Sequence, residues 1–191
     1  MSNNILDKII ASKFGEMATR KQLVSIADLE AMPLFNKKVP SLKLSIIDQT
    51  KTGIIAEFKR QSPSKGIIND KLSPAEVTSA YVNAGAAGLS VLTDEPFFGG
   101  TRKDFEEARV ANPFTPMLRK DFMVDEYQVV EAKSMGADVI LLIAAALSPD
   151  EIKTLGTLAR SLGMETLLEV HDEDWCGIRC CLWHGCYHAF L

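Results

Sequence analysis

The chain has 191 residues and a mass of 21.0 kDa, enough for one domain with a real core or two small ones. Hydrophobic residues make up 47% and charged residues 24%, which excludes a disordered tail protein and a collagen-like chain. With 21 Lys and Arg against 25 Asp and Glu, the net charge is −4, and no basic block offers the positive footprint that a nucleic-acid partner needs.

The longest apolar run, 139–147, is far short of the ~20 residues of a membrane span. The opening Met1-Ser2-Asn3-Asn4 lacks a basic region followed by an apolar core. A cytoplasmic chain without a signal peptide or membrane partner is expected.

Ile5, Leu6, Ile9, Ile10, Met17 and Ala18 recur near helical spacing, with Phe14 between the turns, and predict an amphipathic helix over 5–20. Ser25, with Asp28 three residues on, predicts a short capped helix over 25–31. An irregular stretch with Pro33 and Pro40 follows. From 53 onward, short apolar runs (54–58, 89–93, 116–119, 139–143 and 166–170) alternate with helical segments (74–84, 102–111, 125–135 and 149–162).

Ser73-Pro74 and Ser148-Pro149 are helix starts, a capping hydroxyl followed by Pro at the first helical position. Gly85, Gly136 and Gly163 stand where helix ends need a left-handed residue. Continuous apolar runs read as strands buried on both faces, the mark of a parallel sheet under helices. Two architectures fit five such units. One is an open doubly wound sheet; the other is a (β/α)₈ barrel of which five strands are present. No G-x-G-x-x-G follows any run, which argues against a dinucleotide site.

In both architectures the chemistry sits at the strand C-terminal ends. Glu57 and Lys59 alternate onto one face. They either share a low-dielectric mouth or form an ion pair on a solvated edge. Lys120 ends the third run, as a tuned acid or a surface lysine. Glu169 ends the fifth, as an inward carboxylate or a turn residue, and His171 reads as a loop residue. Phe97 and Phe98 before Gly99-Gly100 suggest either a loop that closes on an apolar ring or simple packing.

Composition breaks at the end. Residues 175–191 hold all four cysteines (Cys176, Cys180, Cys181, Cys186), both tryptophans (Trp175, Trp183), and His184 and His188, with Arg179 as the one charge. A zinc reading lacks any C-x-x-C pair, and a disulfide reading lacks cysteines elsewhere. The preferred reading is a tail foreign to the fold, such as an out-of-frame read, that forms neither a native-like helix nor a strand.

Five motifs then become specific. Ile55-Ala56-Glu57-Phe58-Lys59-Arg60-Gln61-Ser62-Pro63-Ser64, Leu92-Thr93 through Phe98-Gly99-Gly100, Leu118-Arg119-Lys120-Asp121-Phe122, Leu141-Leu142-Ile143 and Leu168-Glu169-Val170 resemble, in order and spacing, the indole-3-glycerol-phosphate synthases. The opening segment, Ile5-Leu6-Asp7-Lys8-Ile9-Ile10, is similar to that family's first helix. The resemblance covers residues 4–174. It implies an α/β fold, a (β/α)₈ TIM barrel with an N-terminal extension over its catalytic face.

It also implies ring closure of a phosphorylated small molecule, 1-(2-carboxyphenylamino)-1-deoxyribulose 5-phosphate, with loss of CO₂ and water in tryptophan biosynthesis. Lys120 then matches the general acid and Glu169 the general base of the dehydration. Lys59 matches the residue that holds phosphate and carboxylate and is a second proton donor. Glu57 matches the carboxylate that orients the catalytic lysine. Ser62 and Pro63 match the first loop over the substrate, and Phe98 and Phe122 the walls around the anthranilate ring. No metal and no organic cofactor are implied.

The expected organisation is an N-terminal helical extension (1–52), a partial barrel (53–174) and an aberrant tail (175–191). The Asn-Arg motif of the family's sixth strand and the phosphate-binding Ser and Gly of its seventh and eighth are not found after Glu173. The chain is therefore expected to be inactive as it stands and to self-associate through open edges at its first and fifth strands. The alternatives are a related barrel isomerase such as phosphoribosylanthranilate isomerase, a non-enzymatic truncated product, and a zinc-anchored binding module. The Glu57, Lys59, Ser62 and Pro63 signature argues against the isomerase.

Overall fold

The computed structural model describes residues 4–38, 40–170 and 186–190. Three helices come first: α1 (Ile5–Leu23), α2 (Ile26–Glu30) and α3 (Leu42–Ile47). Then follow β1 (Ile55–Phe58), the short strands β2 (Gln61–Ser62) and β3 (Gly66–Ile67), α4 (Pro74–Asn83) and β4 (Gly88–Leu92). Next are α5 (Glu95–Phe98), α6 (Arg102–Ala111), β5 (Met117–Lys120), α7 (Glu126–Ser134) and β6 (Val139–Ile143). The series ends with α8 (Pro149–Ser161), β7 (Glu165–Val170) and β8 (Cys186–Phe190).

Local chemistry accounts for the boundaries. Capping boxes close at Ser25 with Asp28, Ser73 with Glu76 and Ser148 with Glu151, and Pro74 and Pro149 open their helices. A fourth box, Thr101 with Asp104, starts α6. Gly85 and Gly136 leave their helices at φ +89° and +82°, where a Cβ would be strained.

All neighbours in the main sheet are parallel, in the order β1-β4-β5-β6-β7-β8. Strand order follows chain order without reversal. A doubly wound sheet would reverse at a switch point; this one progresses as a barrel does. Alternation sorts the side chains into two layers. Leu118, Val139, Leu141, Ile143 and Leu167 form the inner cluster with Leu42. Leu89, Val91, Met117, Ile140, Leu142 and Leu168 pack outward with Phe105, Val129 and Leu155 of the helices.

The N-terminal segment reaches both ends of the sheet, not the face at the strand C-terminal ends alone. At the base, Leu42 of α3 is buried in the inner cluster. Glu165, the first residue of β7, accepts from the backbone N–H of Leu42 (3.0 Å) and Lys43 (3.2 Å) and from the Ser41 hydroxyl. Beside it, Asp138 pairs with buried Arg109 (2.6 Å) and accepts from Met117 N–H (2.9 Å). On the flank, Met17 and Leu29 pack with Tyr127 and Val130. The face that α1 buries is Ile9, Lys13 and Met17, at i, i+4 and i+8, whereas Ile5 and Phe14 are half exposed.

The tail departs from expectation. Residues 186–190 pair in parallel with β7, from Thr166↔Cys186 to Val170↔Phe190, so the fifth barrel strand has a partner on its outer edge. An open edge presents N–H and C=O groups that any extended, weakly charged run can satisfy, whatever its side chains. His171, Trp175, Cys176, Cys180, Cys181, Trp183 and His184 lie outside the described residues, and with them the zinc and helix readings of the tail. Among the described residues, β1 pairs on its β4 side only, and no helix is long and apolar enough to cross a membrane.

A buried ionic cluster joins α1, α7 and the ends of β4 and β5. Arg119 points outward from β5, and its Nη2 lies 3.0 Å from Asp121 Oδ2 and 2.7 Å from Glu131 Oε2. Its Nε donates to Thr93 Oγ1 (3.0 Å), and that hydroxyl donates to Asp121 Oδ2 (2.7 Å). Arg20 of α1 reaches Glu131 (3.1 Å) from outside. Breaking one member of such a buried pair costs about 3–5 kcal/mol, because the other charge is left uncompensated.

Burial alone would raise the Asp121 carboxyl, but the Arg119 and Lys13 cations outweigh it and lower its pKa from 3.8 to about 2. The folded value is below the unfolded one. The resulting stability, roughly 2 kcal/mol, is present above pH ~4 and is lost as pH falls through ~2. Unfolding free energy measured between pH 5 and pH 2 should therefore fall more steeply for this chain than for Asp121→Asn. Equal slopes would contradict the assignment.

Gly100 offers a second test of the fold. A Cβ there would stand 2.2 Å from the Leu92 carbonyl oxygen, a backbone atom that has no rotamer to escape into. Gly100→Ala should cost about 2 kcal/mol or more in urea unfolding. A change of less than ~0.5 kcal/mol would show that the approach of the two segments is looser than described.

Candidate active site

Strand C-terminal ends bring the charged candidates to one mouth. Glu57 lies on β1 and Lys120 ends β5, with β4 between them. Their side chains meet across the inner face, with Lys120 Nζ 3.0 Å from Glu57 Oε2. Lys59 Nζ lies 2.9 Å from Glu57 Oε1, so one carboxylate bridges two ammonium groups. The contact crosses the intervening strand β4 and places Glu57 on the same inner face as Lys120. Glu57 and both lysines are about 30% exposed, at 27%, 32% and 28%. They therefore stand at the rim of the interior and remain within reach of a ligand.

Burial pushes the Glu57 carboxyl up. The Lys120 charge and the hydrogen bonds from Lys59 and Lys120 outweigh it and hold the carboxyl below its ordinary value. Glu57 is thereby kept as an anion between two cations.

Beside this bridge lies a cavity of about 170 Å³. Lys120, Asp94, Asp121 and Glu169 contribute its polar lining, and Leu92, Phe98, Phe122, Leu141 and Ile143 its apolar walls. Glu169 is buried, 8% exposed, and its backbone holds Ala144 N–H (3.0 Å). The Phe98 and Phe122 rings lie 5.9 Å apart, tilted by 33°. A lysine and a carboxylate lining one apolar pocket can supply a proton and remove one from a planar, partly charged ligand.

Ser62 and Pro63 are not in that lining. They belong to the β2–β3 hairpin, where Ser62 Oγ accepts from Lys65 N–H (3.2 Å) and Pro63 is exposed. The hairpin is held at its root by Arg60. Its guanidinium grips Asp104 through Nε (3.0 Å) and Nη2 (2.6 Å) and lies 5.3 Å from the Phe58 ring centre.

Asp94, Asp121, Leu92, Leu141 and Ile143 line the cavity although the sequence singled none of them out as a site residue, nor was Lys13 singled out. A lysine at i+4 from Ile9 and i−4 from Met17, on the apolar face of a helix, was the available signal for Lys13. The cavity's inner-layer residues could have been found by continuing the Glu57 alternation along each strand.

A family model described as "Indole-3-glycerol phosphate synthase" matches residues 6–179. The chain is 46% identical over 173 residues to an indole-3-glycerol phosphate synthase of Bordetella pertussis, covering 89% of this chain and 66% of the relative. Similar relatives of the same name occur in Neisseria gonorrhoeae (47% over 173 residues, 89% and 66%) and Bacteroides thetaiotaomicron (46% over 173 residues, 90% and 65%). The chain thus spans about two thirds of the length of these relatives. Five parallel strands in barrel order, the motifs at their C-terminal ends and this likeness over nearly nine tenths of its length agree: the chain belongs to the indole-3-glycerol phosphate synthase family.

Proposed function

We propose that this site carries out indole ring closure on 1-(2-carboxyphenylamino)-1-deoxyribulose 5-phosphate. The observation that carries the reading is the Glu57 carboxylate held between Lys59 and Lys120 at the rim of a pocket walled by Phe98 and Phe122 and lined by Glu169. The ring carbon bearing the carboxylate attacks the ketone carbon while Lys120 gives a proton to the carbonyl oxygen. CO₂ leaves from that carbon and the ring regains its aromaticity. The new hydroxyl then takes a proton from Lys59 and departs as water, while Glu169 takes the proton released from the neighbouring carbon.

Glu57 holds both ammonium groups in place, one on each oxygen, and Lys59 faces the substrate's anionic groups and is a second proton donor. Ser62 and Pro63, on the exposed hairpin, are placed to fold over a bound substrate. Family membership favours this reaction over the isomerase reading. No metal and no organic cofactor enter it. Chemistry on a small phosphorylated substrate suits a cytoplasmic enzyme, and the side of β1 that is unpaired among the described residues is a candidate contact between copies.

Phosphate anchoring is the part of this reading that the 191 residues do not supply. A barrel of this type holds phosphate at its seventh and eighth strands, beyond the two thirds of the relatives' length that the chain matches. Loss of positioning by about 1 Å can cost on the order of 10²-fold in rate.

The test is a fluorescence assay of indole-3-glycerol phosphate formation by the 191-residue chain. It is run beside the chain's residues 1–174 joined in frame to the C-terminal third of the Bordetella relative. Turnover is expected in the joined chain and near-background rates in the shorter one. In the joined chain, Lys120→Ala and Glu169→Gln should each lower kcat by about 10²–10⁴-fold. Equal turnover by the two chains would overturn the anchoring argument, and undiminished turnover in Lys120→Ala would overturn the acid.

A further inference from the structure

Lys13 is a fully buried ammonium that the proposed reaction does not use. It enters from α1 and ends between two strand-end loops. Its Nζ lies 2.9 Å from Asp94 Oδ2, 3.1 Å from Asp121 Oδ1 and 3.1 Å from Glu16 Oε2. Each of the two aspartates also fixes its own loop. Asp94 caps α5, accepting Phe97 N–H on Oδ1 (2.9 Å), and α5 carries Phe98. Asp121 stands between Lys120 and Phe122 in the chain and accepts Phe122 N–H on Oδ1 (2.8 Å).

One cation therefore ties the segment bearing one aromatic wall to the segment bearing the other wall and the lysine at the mouth. Stability alone is a poor account of it. A buried ion cluster is often matched or exceeded in stability by apolar side chains of similar volume. What apolar packing would not supply is a fixed distance between two loops.

We propose that Lys13 is a positioning residue: it staples the loop after β4 to the loop after β5 and so sets the spacing of Phe98, Phe122 and Lys120. The functional part of this inference rests on the ring-closure reading; the mechanical part does not. The N-terminal helix thereby becomes a component of the site without touching a ligand.

The test uses the 191-residue chain and two reporter amides, Phe97 and Phe122, followed by NMR hydrogen exchange. The binding probe is anthranilate, followed by its own fluorescence. Lys13→Met should speed exchange of both amides by about tenfold or more and weaken anthranilate binding by about tenfold. Met17→Ala loosens α1 elsewhere on its buried face and should change either readout by less than about twofold.

Asp94→Asn keeps the α5 cap and removes one arm of the staple. It should speed Phe97 and leave Phe122 unchanged, which carries the test if Lys13→Met does not fold. Unchanged amides in Lys13→Met, equal acceleration by Met17→Ala, or joint acceleration in Asp94→Asn would overturn the staple. Acceleration of both amides in Lys13→Met, with no indole-3-glycerol phosphate formed by the joined chain, would uphold the staple and remove the ring-closure reading.

Discussion

Asp121 is the charge around which the strand mouths are arranged. It is buried, and it stays ionised because Arg119 approaches from the helix layer and Lys13 from α1. Taking three charges out of water is tolerable only when every one of them is paired and hydrogen-bonded. Thr93, Gln128 and Glu131 supply the remaining partners of Arg119. That requirement fixes α1 against α7 and fixes the loops after β4 and β5 against each other. The immediate chain neighbours of Asp121 are Lys120 and Phe122, so the rigidity of the cluster passes directly to the pocket wall.

The inner face solves a different electrostatic problem. Two lysines at the rim would repel each other without an anion between them. Glu57 occupies that position, one oxygen to each ammonium. It lies two strands away from Lys120, so the bridge spans β4 and ties the ends of β1 and β5 together. Below it the inner layer is apolar, closed at the base by Leu42 of α3 and by Glu165 holding that helix's first N–H groups. The N-terminal segment thus works at both ends: an ion at the mouth and a plug at the floor.

Much of this was legible in the chain. The Ser-Pro starts at Ser73 and Ser148 gave α4 and α8, and the apolar runs gave the five strands within a residue or two. The motifs at their ends gave Glu57, Lys59, Lys120 and Glu169 as neighbours. Lys13 was not legible as a site residue, because helical periodicity treats a lysine on an apolar face as an interruption, and its two aspartates come from loops about 80 and 110 residues on. Strand β8 was missed for the opposite reason. Patterning judges side chains, while the open edge of β7 needed only backbone groups. Choosing between a solvated and an inward Glu57 required the order of strands in the sheet, which no local pattern encodes.

The most direct test of the account is the meeting of Glu57 and Lys120 across β4. A double-mutant cycle in urea unfolding, with Glu57→Gln, Lys120→Met and the pair, reads that contact without any substrate. A favourable coupling of about 0.5 kcal/mol or more is expected. A coupling of zero within error would mean that the two strand ends do not converge and that the residues placed at one mouth belong to separate surfaces.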